Sequence, residues 1–147
     1  MKLLTKNSDY AVRALMMLGQ HQGLFISARR IADAQAIPYS YLRKILQRLI
    51  KDGLVESREG GRGGFRLKAS PHHIRLTDII QAFQGRIQLS ECMFRKKVCP
   101  NRKVCALRRH ILDIEKIVTD KFSRLTVGQL IQKMQLSLSA VNGATKG

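Results

Sequence analysis

The sequence predicts a mainly α-helical fold in which three short helices lead into a two-stranded hairpin and a longer helix lies toward the C-terminus. Three observations point there. Between Ser8 and Gly53, apolar residues recur at helical spacing in three runs, separated by Gly23 and Pro38. On either side of the glycine-rich EGGRGG, two short runs alternate as strands do. Apolar residues make up 44% of the chain but aromatics only 5%, with no tryptophan, which suits helices packed through Leu, Ile, Val and Ala. At 147 residues one hydrophobic core is expected.

Ser8 is a candidate cap for a first helix from Asp9 to about His21, in which Ala11, Ala14, Leu15 and Leu18 share a face and Gly23 follows as a stop. Ser27 precedes ARRIADAQ, a short second helix with Ile31 and Ala32 turned inward, and Ala36-Ile37-Pro38 makes the turn. The third helix, about Tyr39 to Asp52, has two faces. Leu42, Ile45, Leu46, Leu49 and Ile50 form an apolar stripe, while Ser40, Arg43, Lys44, Gln47, Arg48 and Lys51 form a polar and cationic one. LVESR and FRLKA then alternate around a flexible tip. Thr77 is placed to cap a short helix, TDIIQAFQG.

After the cysteine segment, a longer amphipathic helix is expected from about Asn101 to Phe122, with Val104, Leu107, Ile111, Ile114 and Val118 on one side. A stripe of that length at the end of a small chain suits pairing with a second subunit. Thr126 caps VGQLIQKM, and the small, polar SLSAVNGATKG reads as a disordered tail. The expected division is a unit of helices and hairpin over 1–84, a cysteine loop over 85–106, dimerisation and C-terminal helices over 107–136, and the tail over 137–147.

Charge narrows the function. Lys and Arg number 27 against 10 Asp and Glu, a net +17. Residues 1–75 carry 14 basic and 5 acidic groups and residues 76–147 carry 13 and 5, so the excess is spread through the folded part. Such a surplus self-repels unless a polyanion is a normal partner. No apolar run approaches the roughly 18 residues of a membrane span, and Asp9 and Arg13 interrupt the N-terminal one, so a cytoplasmic protein is expected. An enzyme is poorly supported: there is no Ser-His-Asp order, no paired carboxylates and no nucleotide-binding loop. The absence of an aromatic stacking platform disfavours RNA.

Helix, helix, reader-type helix and glycine-tipped hairpin is the order of a winged helix-turn-helix with a two-stranded wing. In that arrangement Arg43 and Lys44 are suited to guanine edges and Gln47 to adenine. Ser40 and Tyr41 lie near a helix N-terminus, where phosphate contacts are favoured. Arg62 and Gly63 in the wing tip are suited to the backbone or minor groove, and Arg29 and Arg30 of the second helix complete the candidate DNA-binding set.

ECMFRKKVCPNRKVCALRR holds all three cysteines, Cys92, Cys99 and Cys105, spaced C-x6-C-x5-C. The odd number argues against a secreted disulfide framework. Structural zinc usually has four closed ligands with a C-x2-C-like pair, and neither is present. An iron-sulfur cluster, bound mainly by thiolates, is compatible with the spacing. Its net negative charge would be offset by Arg95, Lys96, Lys97, Arg102, Lys103, Arg108 and Arg109.

KLLTKNSDYAVRAL, IPYSYLRKILQRLIKDGLV, ESREGGRGGFRL, IRLTDIIQAF and the three cysteines together resemble the Rrf-type bacterial regulators, the group of IscR, NsrR and RirA, over roughly residues 1–134. The resemblance implies a homodimeric transcription factor, a repressor on a palindromic double-stranded operator, dimerised along its long C-terminal helix. It implies a 2Fe-2S or 4Fe-4S cluster on Cys92, Cys99 and Cys105 that senses iron, nitric oxide or redox state. Cluster-free relatives imply the alternative of regulation through thiol oxidation or a partner protein. The first spacing is one residue longer than the family's usual x5. IscR-like members complete the ligand set with a His at the position of Arg108 here, and His110 falls on another face. NsrR-like members use an Asp from helix one of the partner, which Asp9 matches.

Overall fold

The computed structural model describes residues 3–90 and 99–144. Its elements run α1 Lys6–Gln20, α2 Ala28–Gln35, α3 Tyr39–Lys51, β1 Val55–Arg58, β2 Gly64–Leu67, a short 3-10 turn Pro71–His73, α4 Leu76–Gln84, α5 Ala106–Ser123 and α6 Val127–Ala144. The expected three helices, hairpin and later helices are all present in that order.

The core forms where the apolar stripes of α1, α2, α3 and α4 meet. Leu15 and Leu18 pack among Ile31, Leu42, Leu46, Leu49, Ile79 and Ile80, all essentially without solvent contact. Truncating any one of these to Ala removes apolar contact and leaves a cavity, a loss of about 2–5 kcal/mol. The stripe foreseen on α3 is buried as expected, with Ile50 at its edge only partly covered. Ser27 caps α2, its Oγ accepting from Arg30 N at 3.2 Å. Ala36, at φ 50°, ends that helix in a left-handed conformation so that Pro38 can begin α3 at a sharp angle.

Several boundaries differ from expectation. Thr5, not Ser8, caps α1, and its Oγ accepts from Ser8 N at 3.3 Å. Ser8 is fully buried and donates instead to Gln84 Oε1 at 2.7 Å. Gln84 also accepts from Thr5 N and donates to Leu3 O, so the end of α4 clamps the start of α1. Thr77 lies inside α4, which starts one residue earlier, at Leu76, and whose Asp78 carboxylate accepts from Arg75 N at 3.4 Å. α5 begins at Ala106, because residues 100–104 are taken up by turns.

The last helix is the largest correction. α6 continues to Ala144, through most of the segment expected to be a disordered tail. Its start is capped as foreseen: Thr126 Oγ1 accepts from Gln129 N while Gln129 Oε1 accepts from Thr126 N. Val127 and Ile131 enter the main core, so the first turns of α6 pack against α1. No helix among the described residues is long and apolar enough to cross a membrane.

The strands pair antiparallel, Val55 opposite Leu67 and Arg58 opposite Gly64. Ile26 adds a third edge, exchanging hydrogen bonds with Phe65 at 2.9 and 2.8 Å. That close approach requires glycine at position 64, where φ is +141° and a β-carbon would run into the Ile26 carbonyl. Gly64→Ala is expected to cost about 1–3 kcal/mol in urea unfolding, the range for a non-glycine residue held in such a region. Gly61→Ala, with open space around it and no such backbone demand, should stay within about 0.5 kcal/mol of wild type.

Candidate functional site

α3 presents the surface the sequence predicts. Burial of Leu42, Ile45, Leu46 and Leu49 turns Ser40, Arg43, Lys44, Gln47 and Lys51 outward together, and all five are exposed. Arg29 and Arg30 of α2 are exposed as well. The ion pairs among the described residues join Arg13 to Asp9, Arg48 to Asp52 and Arg66 to Glu56. Arg29, Arg30, Arg43, Lys44 and Arg62 therefore have no acidic partner among the described residues. Unpaired cations gathered on one reader helix, its neighbour and a wing are the electrostatic footprint of a phosphate backbone.

Tyr39 and Tyr41, both exposed, border this face, and each ring also contacts neighbouring side chains. Tyr39, absent from the predicted set, lies near two residues of that set: Arg29 Cζ is 4.5 Å and Arg43 Cζ 6.0 Å from its ring centroid. It gives two flexible guanidinium groups a common planar support. Tyr41 turns toward α1, its ring meeting Tyr10 edge-on at 6.4 Å, with the Lys6 ammonium 5.4 Å away. The Arg29–Tyr39, Lys6–Tyr41 and Tyr10–Tyr41 contacts join residues far apart in sequence and leave no periodic signal.

The wing tip is tighter than a mobile loop. Gly63 N donates to Gly60 O at 3.0 Å, and a side chain at 63 would strike the Arg58 carbonyl. Gly63 thus closes the turn, and its N–H is engaged there. Arg62 is exposed, and its own carbonyl accepts from Arg58 Nη2 at 2.9 Å.

Of the predicted metal ligands, Cys99, Cys105 and Asp9 are described, whereas Cys92 lies outside the described residues, as do Arg95, Lys96 and Lys97. Cys99 and Cys105 are free thiols, each half-buried. Two turns connect them, Arg102 N donating to Cys99 O and Val104 N to Asn101 O, each at 3.0 Å. Cys105 is the N-cap of α5, its Sγ accepting from Arg108 N at 3.4 Å. A helix N-terminus favours the negative charge of a metal-bound thiolate. Beside this segment, a cleft of about 580 Å³ between the end of α4 and α5 is lined by Arg86, Arg102, Arg108 and Lys116 among others.

Asp9 lies elsewhere. Its carboxylate is half-exposed on the first turn of α1, 3.1 Å from Arg13 Nε, while Arg13 Nη1 donates to Gln35 O at 2.6 Å. Among the described residues no three His, Cys, Asp or Glu side chains converge as a metal set, so Asp9 does not meet Cys99 and Cys105 within one chain. Thiolates of this kind fit iron-sulfur chemistry, which takes mainly Cys ligands.

The fold and this cationic face agree with the sequence relationships. A family model described as an iron-dependent transcriptional regulator, Rrf2, matches residues 4–133. The chain belongs to the Rrf2 family. It is 29% identical over 130 residues to the HTH-type transcriptional repressor NsrR of Streptomyces coelicolor, covering 87% of each chain. It is 30% identical over 130 residues to the HTH-type transcriptional regulator IscR of Vibrio campbellii, covering 88% of this chain and 77% of that one. Among solved structures, CymR, the global cysteine regulator of Bacillus subtilis, superposes with a TM-score of 0.75 at 24% identity, over 90% of this chain and 98% of that one. This Rrf2 protein is accordingly a winged-helix, DNA-binding transcriptional regulator and not an enzyme.

Proposed function

We propose that this Rrf2 protein is a cytoplasmic, homodimeric repressor of palindromic operators whose DNA affinity is set by an iron-sulfur cluster, 2Fe-2S or 4Fe-4S, responding to iron, nitric oxide or redox state. Its ligands are Cys92, Cys99, Cys105 and Asp9 of the partner subunit. One observation carries the reading: Cys105 caps α5, the helix whose apolar stripe is left uncovered, so a cluster ligand and a dimer face share one rigid element. Loss of the cluster then frees the segment that leads into the dimer helix, and the spacing of the two reader helices changes with it. Protein purified without oxygen should be brown, with visible absorption and an iron Mössbauer signal. Colourless protein that takes up no iron on anaerobic reconstitution would refute the cluster.

The half-burial of two free thiols supports a second reading, regulation by thiol oxidation without metal. There, Cys99→Ser alters the response to oxidant and leaves metal content unchanged.

For DNA itself, Arg43→Ala is expected to relax sequence choice by about 1–3 kcal/mol at one base position. Enrichment from a randomised duplex pool measures it. Arg62→Ala should weaken binding about equally for all sequences and lower the salt slope by about one. Equal effects of both substitutions on selected and random duplexes would remove α3 from the role of reader.

A further inference from the structure

The loop before α2 carries an aromatic ring that the DNA-binding face has so far not used. Phe25 is half-buried between two guanidinium groups, Arg58 Cζ at 4.1 Å and Arg66 Cζ at 4.3 Å from its centroid. The register explains the sandwich. Glu56 pairs with Arg66 and Arg58 with Gly64, so Glu56, Arg58 and Arg66 share one face of the hairpin. The Ile26 bridge to Phe65 brings the neighbouring Phe25 to that sheet.

The two arginines differ in what else they touch. Arg66 is paired, its Nε donating to Glu56 Oε1 at 2.7 Å. Arg58 has no acidic partner among the described residues and reaches forward instead, donating to Arg62 O at 2.9 Å. A continuous set of contacts therefore runs from Phe25 through Arg58 to the main chain of the residue at the wing tip. An exposed arginine would ordinarily sample many rotamers; the planar ring restricts this one to the conformation that braces the tip.

We propose that Phe25 is a positioning residue for DNA binding, its ring fixing Arg58 against the wing tip so that Arg62 is presented to the phosphate backbone in one conformation. This rests on the wing as a backbone-contacting element. The ring brings no charge and is not itself a DNA contact; it acts on the cations beside it.

The test titrates a short mixed-sequence DNA duplex with full-length wild type, Phe25→Leu, Phe25→Tyr, Arg62→Ala and the Phe25→Leu/Arg62→Ala double variant across a salt series. Phe25→Leu should weaken binding about threefold to fivefold, the size of one exposed cation-π contact. It should also lower the salt slope although no charge is removed, because a phosphate contact is lost. Phe25→Tyr keeps the ring and should bind as wild type. In the Arg62→Ala background, Phe25→Leu should add nothing further. Arg58→Lys, which keeps the charge but not the planar fork, should reproduce the Phe25→Leu loss and serves if that variant folds poorly. Additive effects, or weaker binding with an unchanged slope, overturn the proposal. Wild-type binding by Arg62→Ala alone overturns it together with the wing reading.

Discussion

Cys105→Ser protein, prepared without oxygen, is expected to emerge colourless, with iron affinity lowered by at least about 100-fold, and yet to be as stable as the wild-type apo form. The two halves of this result come from the two things Cys105 does. In the proposed role of ligand, its thiolate is one of few donors, and losing a direct donor costs more than the roughly 10–100-fold lost when an outer-shell partner is changed. As the N-cap of α5, its sulfur accepts from Arg108 N at 3.4 Å. A serine hydroxyl at that position is a stronger acceptor and a favoured cap, so the helix keeps or improves its start. Cys105→Ala removes both functions and should lose about 0.5–1 kcal/mol of apo stability along with the iron. Iron analysis and urea unfolding on the same samples separate the roles. A serine variant that retains the full iron complement would take Cys105 out of the ligand set.

What could be read from the sequence, and what could not, follows the range of the interactions involved. The faces of α3 were legible because Leu42, Ile45, Leu46 and Leu49 are all buried by the chain's own core, and burial on one side forces periodicity. The wing was legible from strand alternation and the glycines between. The start of α1 was misread because Thr5 and Ser8 are equally good caps by type, and what diverts Ser8 is Gln84, 76 residues away. The tail was misread on composition. A helix already nucleated by Thr126 and packed through Ile131 extends at little cost, and Ser137 and Ser139 satisfy their hydroxyls on the Lys133 and Gln135 carbonyls. Phe25 had no signal, since its cationic neighbours Arg58 and Arg66 are set by tertiary contacts, whereas Tyr39 lies four residues before Arg43 on α3 and only its contact with Arg29 is tertiary.

Ile114→Asp is expected to halve the solution mass and to remove the cluster at the same time. α5 is 18 residues long and none of them is buried. Leu107 is 68% exposed and Ile114 49%, on the face that Ile111 and Val118 continue, and Val104, in the turn before the helix, is 73% exposed. Each such side chain gains about 1.5–3 kcal/mol on full burial, so several from each of two protomers can exceed the roughly 4–15 kcal/mol cost of association. A carboxylate in the middle of that face would be buried without a partner, a penalty of about 3–5 kcal/mol, or roughly two to three and a half orders of magnitude in dimer affinity. Because the protomer's own core does not use Ile114, the helical circular dichroism should be unchanged. The salt slope for DNA should fall to about half, since each monomer brings one reader helix and one wing. Iron binding then reports on the proposed ligands: with the ligand set proposed above, three cysteines of one chain without the partner subunit's Asp9 would leave the cluster one donor short. Monomeric protein that keeps its full iron complement would mean that a single chain supplies every ligand, and Asp9 would be left with its ion pair to Arg13 alone.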